Sequence, residues 1–177
     1  MKSLLSVIIL STALFCADDL SSFLNAYKQG DSESICRFGR KLYRENIRDE
    51  NILIAAGQAC AKEDFIDCVG VLQQRLGKSP ESRKAAVYFS SLVLQKRLIF
   101  QFMLEDVDLS PYALPVTDHI LSRVFEAIKN GEYTLIEKHP KHIQIGTQKE
   151  FLDVYITKKV CVDHYKDDKK IKEHRYR

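Results

Sequence analysis

The residues best equipped for chemistry lie in two short C-terminal runs, His139-Pro140-Lys141-His142 and Cys161-Val162-Asp163-His164. Together they offer imidazole, thiolate and carboxylate, ligand types that zinc accepts. Cys161 with His164 is also the pairing a thiol nucleophile requires, provided an electropositive pocket lowers the thiol pKa. Neither run has the spacing of an established motif. The chain contains no nucleophile elbow, phosphate loop, dinucleotide fingerprint, HExxH or CxxCH. His139 and His142 flank Pro140 in a polar loop, which suits surface histidines. Glu63, Asp64 and Asp67 are neighbouring acids, but at a hairpin turn they suit helix capping better than acid–base work. The expectation is a chain without catalytic residues, metal or cofactor, and so not an enzyme. The alternative is a small hydrolase or redox protein built on Cys161 and the C-terminal histidines.

The meaning of the cysteines depends on compartment. Lys2 precedes an apolar run from Leu4 to Phe15, followed by Cys16-Ala17-Asp18-Asp19. That is the layout of a secretory signal peptide, and the run is short for a bilayer span. Residues 1–17 are therefore expected to be removed, with Ser11-Thr12-Ala13 offering an earlier cleavage site. Phe15 is too bulky beside Cys16 for a lipoprotein signal. The mature form is expected in the periplasm or secreted, with no stable membrane span. Cys36, Cys60, Cys68 and Cys161 then form an even set in an oxidising compartment, where pairing is favoured over buried thiols.

The cysteines must be positioned by helices. From Ala26 to Pro80 apolar residues recur at three- and four-residue steps, the signature of a buried helical stripe. The stripes are Leu20, Phe23, Leu24 and Tyr27; Ile35, Phe38, Leu42 and Tyr43; Ile52, Leu53, Ala56 and Ala59; and Phe65, Cys68, Val69 and Leu72. Gly30-Asp31, Arg48-Asp49 and Lys62 to Asp64 separate them with turn chemistry. Shifting the sequence by 33 residues lays Ala26 on Ala59, Asp31 on Asp64 and Ile35 on Cys68. Such a period belongs to helix–turn–helix arrays.

Tyr27-Lys28-Gln29-Gly30-Asp31 resembles the turn of a tetratricopeptide repeat. Ala55-Ala56-Gly57, Phe65, Cys68, Leu72 and Pro80 repeat the likeness in the second copy. The first copy departs from the pattern, with Phe23 and Gly39 where a small and an aromatic residue are usual. The resemblance implies a mainly α fold: a short helical repeat array followed by a small β-containing C-terminal segment. It also implies a concave partner groove on the first helix of each repeat, here Leu24, Tyr27, Lys28, Leu53, Gly57 and Cys60. The Cys60-x7-Cys68 spacing is similar to that of Sel1-like repeats, in which such pairs staple neighbouring helices. A continuous helix would separate these two cysteines by about 12 Å, so the pairing needs a reversal near Asp64. A loop that small contributes roughly 2.5 kcal/mol. Cys60–Cys68 is thus the favoured pair, with Cys36–Cys161 as the second. Cys36–Cys60, symmetric about the Arg48 turn, is the rival.

Ser79-Pro80 can open the next helix, whose stripe reads Ala86, Val87, Phe89, Ser90, Val93, Leu94, Leu98, Phe102 and Met103. Two prolines in 107–116 mark an internal boundary, and Thr117 or Asp118 can cap a helix that Asn130-Gly131 ends. Beyond Gly131, β-branched and aromatic runs with alternating Leu152, Val154 and Ile156 read as strands joined by Thr157-Lys158-Lys159. Thr147-x-x-Glu150 also has the form of a capping box, leaving a helix over 149–160 open. The expected organisation is a signal peptide over 1–17, repeats over 18–106, a loop and helix over 107–131, and a β-rich segment over 132–177. A net charge of +3 on 177 residues, 45% of them hydrophobic, fits an ordinary folded chain and gives no nucleic-acid signal. The function implied is a non-enzymatic envelope protein that binds a protein or peptide partner.

Overall fold

Turn residues decide where the helices of the N-terminal half stop. The computed structural model describes residues 18–176, so the expected signal segment over 1–17 lies outside the described residues. Helix α1 covers residues 18–29, and Gly30 follows with φ +69°, a conformation that glycine adopts without steric cost. Asp31 caps α2 (Ser32–Arg44) by accepting from the Ser34 amide, and Asp49 caps α3 (Glu50–Lys62) by accepting from Asn51 and Ile52. Asn46 and Asp64 take positive φ at the two reversals, as their short polar side chains permit. After α4 (Ile66–Leu72), a 3₁₀ turn (Gln73–Arg75) places the Arg75 guanidinium 3.7 Å from the Tyr43 ring centroid. The same group donates to Tyr43 O at 2.8 Å. Helix α5 (Pro80–Glu105) opens with a reciprocal box, in which the Ser82 amide donates to Ser79 Oγ and the Ser79 amide to Ser82 Oγ.

The chain divides into two compact units, one ending at Ala86 and one beginning at Val87. In the first, α2 and α3 pack closely because Gly39 leaves room for Ala56. A Cβ at position 39 would sit 2.2 Å from Ala56 Cβ. Three residues before Gly39, Cys36 bonds Cys60 across the same helix pair, with Cα atoms 4.7 Å apart.

The second unit contains α6 (Ile120–Lys129) and five strands: β1 (Thr134–Lys138), β2 (Lys141–Gly146), β3 (Glu150–Ile156), β4 (Val160–Lys166) and β5 (Lys169–Arg175). They form one antiparallel sheet in chain order. Its register puts Ile143, Ile145, Leu152, Val154, Val160 and Val162 on one face, and all six are buried. Asp167 and Asp168 both take positive φ, the geometry of a tight two-residue hairpin, which turns the charged tail back as β5.

Three expectations are corrected. The fold is mixed α and β, with a substantial five-stranded sheet, and not a repeat array with a small β appendage. The densely charged tail from Lys166, whose composition suits either a solvated edge strand or a frayed end, is the edge strand β5. The disulfide is Cys36–Cys60 and neither Cys60–Cys68 nor Cys36–Cys161; Cys68 and Cys161 are thiols. The chain does reverse at Asp64, but Cys60 lies on the face of α3 that meets α2. Finally, the α5 stripe keeps Phe89, Leu98, Phe102 and Met103 of the expected set, adds Leu92, Gln95 and Ile99, and leaves Val87 and Leu94 exposed.

Candidate functional site

Antiparallel strands send alternate side chains to opposite faces. The face of the sheet opposite the buried aliphatic set therefore collects every second residue. The register aligns His142, Tyr155, Cys161 and Arg175 in one row and Gln144, Asp153, Asp163 and Glu173 in the next. Asp163 is the centre of this face, buried although it is a carboxylate. Its Oδ1 accepts from Arg175 Nη1 at 2.7 Å and its Oδ2 from Lys170 Nζ at 2.6 Å. Tyr155 donates to Asp163 Oδ2 at 3.3 Å and accepts from Arg175 Nη2 at 2.8 Å. Glu173 closes the ring, with Oε1 2.6 Å from Arg175 Nη2. Burial alone would raise the Asp163 pKa, but the bonds from Arg175 and Lys170 outweigh it and hold the carboxyl below its ordinary value. Burial and the Asp163 charge push the Tyr155 phenol up. Two cations thus meet two carboxylates, so the cluster is neutral and internally bonded. Its chemistry is that of a clamp tying β5 to β3 and β4.

A second feature is an open pocket of about 540 Å³ walled by α6 residues Ser122, Arg123, Glu126 and Ala127, with Val116 and Thr117 on one side and Ile145 to Thr147 on the other. Buried Gln95 organises one wall, accepting from Ser122 Oγ at 3.0 Å and donating to Pro115 O at 3.2 Å. Arg123 lies 3.7 Å from Glu150, and Lys129 pairs with Glu126 at 2.9 Å. Glu150 also bonds His164 Nε2 at 3.0 Å, which holds the Glu150 carboxyl below its usual range. Gly146 is required at the rim. It has φ +121°, and a Cβ there would meet Glu150 O at 2.5 Å.

The expected reactive residues are dispersed by this topology. His142 and Cys161 share the charged face with β3 between them, whereas His164 points to the opposite face with Leu152. His139 is exposed at the β1–β2 turn. Cys161 is fully buried, its thiol 3.5 Å from Lys159 O and 3.6 Å from Thr157 Oγ1. Among the described residues, no three His, Cys, Asp or Glu side chains are placed to hold a metal ion. The expected groove also separates. Leu24, Tyr27 and Lys28 are exposed on α1, but Leu53, Gly57 and Cys60 are buried within the α2–α3 pair. Asp163 stands in the sequence as a candidate metal ligand and is instead an ion-pair centre, while Tyr155, Lys170 and Arg175 carried no expected role. Their signal was the polar phase of the alternation in 151–165, the complement of the aliphatic phase that identified the strands.

No protein-family model, no curated protein sequence and no solved structure matches the chain.

Proposed function

We propose that this chain is an exported envelope protein that acts by binding a protein or peptide partner, without catalysing a reaction. The observation that carries the reading is the outer face of α1. Leu20, Leu24 and Tyr27 fall at i, i+4 and i+7, one stripe of a helix. Leu24 and Tyr27 are 46% and 59% exposed, while Phe23 and Ala26 fill the inward face. A helix that is apolar on both sides has one face left for something other than its own core. The Cys36–Cys60 bond supports an oxidising compartment, where such bonds persist. Among the described residues no helix is long and apolar enough to cross a membrane.

The test places a photo-crosslinking residue at Tyr27 and, as a control, at exposed Lys84, in cells that make the protein. The expected result is a discrete adduct from position 27 alone, abolished by Leu24→Glu without loss of thermal stability. Equal adducts from both positions, or none from position 27, would overturn the reading. Fractionation of the same cells checks export.

A further inference from the structure

The pocket beside α6 holds a cation that is loosely tied and a carboxylate that nothing neutralises. Its volume of about 540 Å³ lies in the range of small-ligand sites. Arg123 lines it with 47% of its side chain exposed. The Glu150 oxygen paired with Arg123 lies at 3.7 Å, outside hydrogen-bonding range. That same oxygen is already engaged by His164 Nε2 at 3.0 Å. The guanidinium fork, rich in N–H donors and without an acceptor, is therefore available to a ligand. On the same wall Glu126 is neutralised by Lys129 at 2.9 Å. Glu132 is exposed, and among the described residues no cation is placed against it. The reversal that ends α6 fixes its position: Gly131 takes φ +69°, and the Glu132 amide donates to Ala127 O at 2.8 Å. Glu132 thus returns to the level of Ala127, four residues beyond Arg123, which separates the two charges along the helix by about 6 Å at 1.5 Å per residue. Val116, Ala127 and Ile145 give the same pocket its apolar lining.

We infer that this pocket binds a short peptide by its two free ends, the carboxylate on Arg123 and the ammonium on Glu132. Charge selects the class. A dianion such as inorganic phosphate would meet Arg123 but also Glu126, Glu132 and Glu150, and like charges at such range oppose binding. An amine alone would leave the Arg123 fork unused, whereas a zwitterion gives each charged group a charge-assisted hydrogen bond. Length selects within the class. The amine and carboxylate of a free amino acid share one carbon and do not reach both groups. A dipeptide, extended at roughly 3.5 Å per residue, spans about 7 Å and does. Apolar side chains on it then meet Val116, Ala127 and Ile145. The site lies in the second unit and does not rest on the α1 stripe, so either reading can fail without the other.

Titration of the full mature chain with the dipeptide alanyl-valine, followed by amide NMR shifts, tests the proposal. Saturable shifts are expected at Ala127, Ile145 and Gly146. N-acetyl-alanyl-valine and alanyl-valine amide should each bind roughly tenfold more weakly, since each loses one charge-assisted bond, and free valine should be weaker still. Arg123→Gln should remove the penalty for amidation and keep the one for acetylation. Glu132→Gln should do the reverse. Neither substitution should change the thermal unfolding midpoint, because both side chains are exposed at the pocket wall. Absence of saturable shifts at several millimolar dipeptide overturns the proposal, as does equal binding of the capped peptides. Binding of inorganic phosphate or free valine as tight as that of the dipeptide overturns it too. So does either substitution relaxing both preferences alike, since the two ends would then not be read separately.

Discussion

The helical unit and the sheet unit hold their elements in register by opposite means. Between α2 and α3 the lock is covalent and steric: the Cys36–Cys60 bond lies beside a glycine contact that brings the two backbones together. Between β3, β4 and β5 the lock is ionic, four charges and a phenol closed around Asp163. A disulfide stands against salt and pH and yields to a reductant. An ion cluster does the reverse. Each device suits its element: helices meet through side chains at a few points, so one bond can fix the register. Strands already share a backbone ladder, and the cluster needs only to hold the edge strand that the ladder holds least.

That contrast can be broken in four places. Removing the disulfide with Cys36→Ser should cost the helical unit about 3 kcal/mol, from a closed loop whose ends are 24 residues apart. Hydrogen exchange should show the loss in α2 and α3 and leave β4 and β5 protected; equal loss in both units would end the comparison. Asp163→Asn should cost the sheet about 2 kcal/mol by urea unfolding. This is less than a fully buried pair commands, because Lys170 and Arg175 keep 40% and 29% of their side-chain surface. Its effect should grow as salt is lowered, whereas that of Cys36→Ser should not change with salt.

Smaller still, Gly39→Ala should destabilise the helical unit by about 1.5 kcal/mol, because the new methyl would overlap Ala56 unless the helices separate. With the disulfide removed the helices can separate, so the penalty should shrink in the Cys36→Ser background. The mildest test concerns Glu50. Its carboxylate accepts from the Lys78, Gly77 and Ser79 amides, which pull its pKa down to about 2 from an ordinary 4.5. A depressed folded pKa contributes stability above the unfolded value, and that stability is lost as pH falls from 4.5 toward 2. Glu50→Gln should therefore flatten the acid limb of helical-unit unfolding over that interval. An unchanged limb would place the acid sensitivity elsewhere.

Local signals in the sequence were legible where one residue type decides the outcome. Ser79-Pro80 opens α5, Asn130 and Gly131 close α6, and Thr157-Lys158-Lys159 joins β3 to β4, each as its turn and cap chemistry predicts. Thr147 and Glu150 were ambiguous for a physical reason. The same hydroxyl-to-amide bond that caps a helix here helps close the β2–β3 turn, with Glu150 N donating to Thr147 Oγ1 at 3.4 Å. The charged face was harder to see, because Asp163 is neutralised by Lys170 and Arg175 from a strand whose own composition reads as a solvated tail.

By itself the sequence determined the helices and where most of them end, and left 149–160 open between strand and helix, because capping, turn and periodicity act within a few residues. Only the tertiary structure decided which cysteine Cys60 meets, which residues of the expected groove reach solvent, and that the C-terminal charges converge on one carboxylate. Those outcomes depend on which face of each element is turned toward its neighbour. A rotation of a single residue along a helix or strand reverses that choice, and no local pattern records it.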